Sequence, residues 1–154
     1  MIHPIPHRRT GRGGFTAIEM IIVAVIIGLM AAASMPRISR IVGEERIRKL
    51  QSSVASDLEL AFALAQREHK PITITYSTST TVMSVTDRVS GTVLKTRYLG
   101  QSAELSTTAV TFSPSAGITI FPMGIATAAL TITVTNGTFT RTVTTTRAGQ
   151  VTKS

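Results

Sequence analysis

The most constraining feature of this chain is a run of 22 residues, 15–36, reading FTAIEMIIVAVIIGLMAAASMP and holding a single charge, Glu19. As a helix such a run spans about 33 Å, against about 30 Å of bilayer hydrocarbon. The run therefore fits a membrane. The charge is the anomaly: an ionised side chain at a bilayer centre costs roughly 2.5–3.5 kcal/mol on insertion scales, so one that is retained needs a partner. Arg8, Arg9 and Arg12 precede the run and argue that its N-terminal end stays cytoplasmic. Arg37 and Arg40 follow it closely, so the charge bias is not one-sided.

Composition divides the chain into four regions. Residues 1–14 are polar, basic and rich in Pro, Gly and His; residues 15–36 are the apolar run. Over 37–70, Ile38, Ile41, Ile47, Leu50, Val54, Leu58, Ala61, Phe62 and Ala65 recur at mostly three- and four-residue intervals, with Glu44, Glu45, Arg46, Arg48 and Lys49 between them. That is the period of an amphipathic helix, which His69-Lys70-Pro71 then stops. The two regions read as one long helix whose expected kink positions are Gly28 and Pro36.

Beyond Pro71 the chain changes to β. Of 25 threonines, 23 follow that proline, which decides against more helix. Ile72, Ile74 and Tyr76 alternate with Thr73, Thr75 and Ser77, and Leu130, Ile132 and Val134 alternate with threonines, so each stretch buries one face. Asn136-Gly137 is the strongest hairpin signal, with 138–146 as the returning strand. A second hairpin is predicted from 81–86 through Ser90-Gly91 to 92–99, and short strands near 109–113 and 117–121. The fold class predicted is α+β: a long N-terminal helix, half transmembrane and half amphipathic, packed on an antiparallel β domain at 71–154.

Three readings compete for the first 36 residues. A secretory signal peptide accounts for the basic start and for a small-residue site at Ala31-Ala32-Ala33-Ser34, but not for Glu19. A plain signal anchor accounts for the length and leaves Glu19 unpaired. The third reading uses every odd feature: Gly14-Phe15-Thr16-Ala17-Ile18-Glu19, after a short basic leader and before the apolar run, resembles the signal of type IV pilins and type II secretion pseudopilins. The resemblance implies a prepilin peptidase that cuts between Gly14 and Phe15 and N-methylates Phe15. It also implies that Glu19 compensates the new amine of a neighbouring subunit during assembly. Pro36 matches a proline that the family carries at the same distance from the mature terminus.

The remainder is similar to the GspH/FimT family of minor pseudopilins and minor pilins, closely over residues 8–70 and loosely over 117–154, where Asn136-Gly137, Arg141 and Arg147-Ala148-Gly149-Gln150-Val151 carry the likeness. The function implied is that of an H-type minor pseudopilin of a type II secretion system: a structural subunit of a periplasmic pseudopilus, without catalytic activity or cofactor. Its implied setting is the inner membrane, single-pass, with the C-terminal domain in the periplasm. Its implied partners are the prepilin peptidase, other pseudopilins or pilins, the inner-membrane assembly platform, membrane lipid and secreted cargo. The alternative is a FimT-like minor pilin that binds DNA for uptake.

For that alternative the candidate residues are Arg141, Arg147 and Lys153, because no acidic residue follows Glu104. With two tyrosines and no tryptophan, no base-stacking platform is evident. Arg141 shares strand parity with Phe139 and Val143 and is read instead as an inward-pointing edge charge, and Glu44 and Glu45 as a solvated helix face. The net charge of +8 falls to +5 without the three leader arginines, an ordinary basic surface. There is no cysteine, His3 and His7 lie in the leader and His69 stands alone, so no metal site is expected. No nucleophile-elbow, zinc-protease or phosphate-loop pattern suggests an enzyme.

Overall fold

The computed structural model describes residues 14–100 and 107–154, so the expected leader lies outside the described residues except for Gly14. The chain forms two compact units, the first ending at Ser39 and the second running from Arg40 to Ser154. One helix, α1 (Ala17–Glu68), contributes to both, with helical backbone through Gly28 and Pro36. Its end follows from the local sequence. His69 adopts a left-handed conformation (φ 52°), the usual terminating geometry after a last helical turn, and Pro71 cannot continue a helix.

In the first unit every side chain described from Gly14 to Met35 is exposed, although most are apolar. It is the one helix among the described residues that is long and apolar enough to cross a membrane.

In the second unit α1 buries Ile47, Leu50, Val54, Leu58, Ala61, Phe62 and Ala65, the stripe predicted from spacing. Ile38 and Ile41, expected to extend that stripe, are 58% and 61% exposed. Near Ile41 the covering sheet runs out: Phe139, at the tip of a hairpin, lies 3.7 Å from where a Cβ on Gly43 would stand, and Ile47 is the first helical residue of the core.

Eight strands complete the unit: β1 (Ile72–Ser77), β2 (Val82–Asp87), β3 (Val93–Tyr98), β4 (Ala109–Ser113), β5 (Ile118–Ile120), β6 (Leu130–Asn136), β7 (Phe139–Thr145) and β8 (Val151–Lys153). All ladders are antiparallel, and the strands divide into two four-stranded sheets ordered β3-β2-β1-β5 and β4-β6-β7-β8. β1 and β6 keep the predicted alternation, whereas β3 is exposed along nearly its whole length. Ile72, Ile74, Met83, Val85, Ile118 and Ile120 line the core from one sheet, and Phe112, Leu130, Ile132, Val134 and Val143 from the other. Tyr76 of the first sheet stacks on Phe112 of the second, ring centroids 4.5 Å apart, and burial pushes the Tyr76 hydroxyl pKa up.

The Asn136-Gly137 signal yields a hairpin shifted by one residue. Asn136 still pairs with Phe139, so the two loop residues are Gly137 and Thr138. Only Gly137 has positive φ (60°), the pattern of a type II′ turn with glycine first.

Candidate functional site

The predicted N-terminal site is built on the first turn of α1. Thr16 stands immediately before the helix and Glu19 is its third residue, a T-x-x-E capping box. The Thr16 N–H donates to Glu19 Oε2 at 2.7 Å, the Thr16 hydroxyl donates to the same oxygen at 2.9 Å, and the Glu19 N–H donates to Thr16 Oγ1 at 3.3 Å. These bonds satisfy amide groups that a helix start otherwise leaves open. Phe15, just upstream, is 84% exposed, and nothing lies within 4 Å of a Cβ built on Gly14. Sequence reasoning attended to the glutamate's charge and passed over its spacing from Thr16, the signal that reveals the cap.

The three C-terminal cations do not gather in one place. Arg141 sits on β7 opposite Val134 of β6 and beyond the stretch, Val143–Thr145, that β8 covers, and it faces the helix. Its guanidinium reaches Glu44 of α1 at 3.2 Å, and Glu44 also holds Arg48 at 3.1 Å. Glu44 is thus a tie between helix and sheet, not the solvated residue expected; Glu45 is exposed as predicted. Arg147 lies past the other end of β7, its Nε donating to the Ala126 carbonyl at 3.3 Å, and Lys153 is exposed on β8.

Other polar contacts fix the helix to the sheets. Buried Asp57 accepts two hydrogen bonds from Arg97 of β3, through Nε and, at 2.9 Å, through Nη2. This bidentate contact raises the Arg97 pKa above the ordinary arginine value. Gln51 Nε2 donates to the carbonyls of Thr142 and Ser154, both at 2.9 Å, where β7 meets the chain end. In the β2–β3 turn the Val89 N–H donates to Asp87 Oδ1 at 2.8 Å, and this bond first, with Ser90 and Lys70 assisting against burial, holds the Asp87 carboxyl below the usual range. The Asp57–Arg97 and Gln51 contacts were not legible from spacing, because each joins residues distant in sequence; the Asp87 turn contacts are local. No group of three His, Cys, Asp or Glu occurs among the described residues in a metal-binding arrangement.

Against known proteins, residues 51–149 match the sequence model of a family described as "Type II transport protein GspH". Two crystal forms of the Pseudomonas aeruginosa type IV minor pilin FimU share the fold. One has 14% identity and a TM-score of 0.54, covering 70% of this chain and 91% of FimU; the other has 17% identity and a TM-score of 0.53, covering 70% and 90%. No curated protein sequence matches significantly. The families and fold so identified are those of structural pilin and pseudopilin subunits.

Proposed function

We propose that this chain, which belongs to the GspH family of type II transport proteins, is a non-catalytic minor pseudopilin of the H type. In this reading residues 15–36 hold it in the inner membrane with its β domain in the periplasm. A prepilin peptidase cuts after Gly14 and methylates Phe15. The assembly platform then draws the subunit into a periplasmic pseudopilus that serves protein export.

The observation that carries the reading is the exposed, largely apolar surface described from Phe15 to Met35, with one carboxylate in its first turn. Such a surface requires lipid or neighbouring helices, and Glu19 gives it a unique height. A helix inserted out of step leaves both the Phe15 amine and the Glu19 carboxylate uncompensated in a medium that penalises isolated charge.

Mass spectrometry of the N-terminus of protein extracted from membranes tests this. The expected end is a monomethylated Phe15; an end at Ser34, or an uncut Met1, refutes it. The second reading, a minor pilin of a DNA-uptake system, draws on the acid-free stretch after Glu104. A gel shift of the unit Arg40–Ser154 at low salt separates the two, retardation of duplex favouring uptake and none favouring export.

A further inference from the structure

Asn136-Gly137 is a turn signal and also a reactive dipeptide. A backbone nitrogen that follows asparagine can attack the side-chain amide, and glycine, lacking a Cβ, hinders that attack least. Asn136 is the chain's only asparagine, so the reaction has one place to occur. The structure treats the two reactants differently. The electrophile is free: Asn136 is half-buried, and its carboxamide makes no hydrogen bond among the described residues. The nucleophile is held: the Gly137 N–H donates to Thr108 Oγ1 at 3.1 Å. Thr108 is itself anchored, because its own N–H donates to the Thr135 carbonyl at 2.7 Å and the neighbouring Thr107 hydroxyl donates to the Leu99 carbonyl. On the other side of the strand Asn136 pairs with Phe139. Ring closure turns the Asn136–Gly137 linkage and so competes with that pairing as well.

We propose that Asn136 is a latent self-modification site, a succinimide-forming asparagine that Thr108 restrains while β4 and β6 are paired. The step needs only water. Gly137 N gives its proton to hydroxide and bonds to Asn136 Cγ; the Cγ–Nδ2 bond breaks, and Nδ2 leaves as ammonia with a proton taken from water. Water then opens the cyclic imide at either carbonyl, leaving aspartate or isoaspartate, with no change of oxidation state. The product carries the first carboxylate in the stretch after Glu104. The isoaspartate form also lengthens the backbone by one carbon, beside the pair that closes the hairpin. That hairpin's Phe139 lies 3.7 Å from the Cβ position of Gly43, so the altered tip is the one seated on α1.

The test ages the full-length protein in detergent micelles at mildly alkaline pH. Isoaspartate is counted by enzymatic methyl transfer, and the peptide carrying residue 136 is resolved by chromatography and mass spectrometry. Folded wild type should react more slowly than the same chain in guanidinium. Thr108→Val should react about two- to five-fold faster than folded wild type, the equivalent of one exposed hydrogen bond. Thr108→Ser, which keeps the hydroxyl, should stay at the wild-type rate, and all three should react alike in guanidinium. Amide exchange in the wild-type chain supplies a reading that needs no variant. Corrected for sequence, the Gly137 N–H should exchange more slowly than the Thr138 N–H, which has no acceptor among the described residues. Should Thr108→Val lose its circular-dichroism signal, the exchange comparison and Thr108→Ser decide. Equal rates for folded and unfolded wild type overturn the proposal. So does a folded Thr108→Val no faster than wild type, or Gly137 exchange as fast as that of Thr138.

Discussion

The sharpest test of how the β domain closes on the helix is Gly149→Ala. Gly149 lies in the β7–β8 turn with φ 83°, and a Cβ there would stand 2.8, 3.0 and 3.2 Å from Cδ1, Cε1 and Cγ of Phe62. Those atoms belong to a ring that is 6% exposed in the core, not to the free end of a flexible side chain. Two penalties add. Placing an alanine in the left-handed region costs about 1–2 kcal/mol, partly offset by the reduced freedom of the unfolded chain. Overpacking of a closed core costs about 1–3 kcal/mol more. Gly137→Ala isolates the first term, since Gly137 also has positive φ (60°) but nothing within 4 Å of its Cβ position. Urea titration of the unit Arg40–Ser154, followed by circular dichroism, should show Gly149→Ala destabilised by about 2–4 kcal/mol and Gly137→Ala by about 1 kcal/mol. With an m-value of about 2 kcal/mol/M the first shift is about 1–2 M in midpoint. Phe62→Leu, which shortens the offending side chain, should bring the cost of Gly149→Ala near that of Gly137→Ala. If the two glycine substitutions cost the same, or the Phe62 change leaves the difference intact, the claim that this turn seats on Phe62 is wrong.

Three further outcomes follow from other contacts. Asp57→Ala leaves the Arg97 guanidinium without its bidentate partner; because that side chain is 24% exposed and can turn to water, the loss should sit near about 3 kcal/mol, read by the same titration. Asp87 carries a depressed pKa in the fold, so its contribution is present above the ordinary aspartate value of about 3.9 and lost as pH falls through the lower folded value. Asp87→Asn should flatten the acid limb of a stability–pH profile and leave the limb near neutrality unchanged in slope. Glu19→Val should leave cleavage after Gly14 intact while incorporation into filaments, scored by co-sedimentation with sheared filaments, falls; unchanged incorporation refutes the pairing role of Glu19.

Local pattern revealed most of the elements and little of what joins them. The threonine alternation marks β1 and β6 because a strand with one wet face writes its period into consecutive residues. The stripe from Ile47 to Ala65 is legible for the same reason at helical spacing. Ile38 and Ile41 share that spacing and yet stay exposed, since periodicity says which face is apolar and not where the covering layer ends. Partition into two sheets depends on which strand edges meet, and the Asp57–Arg97, Glu44–Arg141 and Gln51–Ser154 contacts depend on the finished topology. Single residues far apart carry no mark of such partnership.

Glu19 shows how one residue satisfies two demands that look exclusive. The helix start has unpaired N–H groups at its end, and the capping box answers them reciprocally: both Thr16 donors converge on Glu19 Oε2, and the Glu19 N–H donates to Thr16 Oγ1. Oε1 takes no donor among the described residues. The cap therefore fixes the carboxylate's position through Oε2 alone among the described residues. In the proposed reading, cutting after Gly14 creates an amine one turn away, and the open oxygen is what a neighbouring subunit's amine can engage without dismantling the cap. Thr16→Val, which removes the hydroxyl and keeps its shape, separates the two demands. It should loosen the first turn while the charge of Glu19 stays in place. Incorporation should then fall less than in Glu19→Val, because position is impaired and the partner charge is not. An equal loss in both variants would mean that the cap, and not the charge, is what assembly reads.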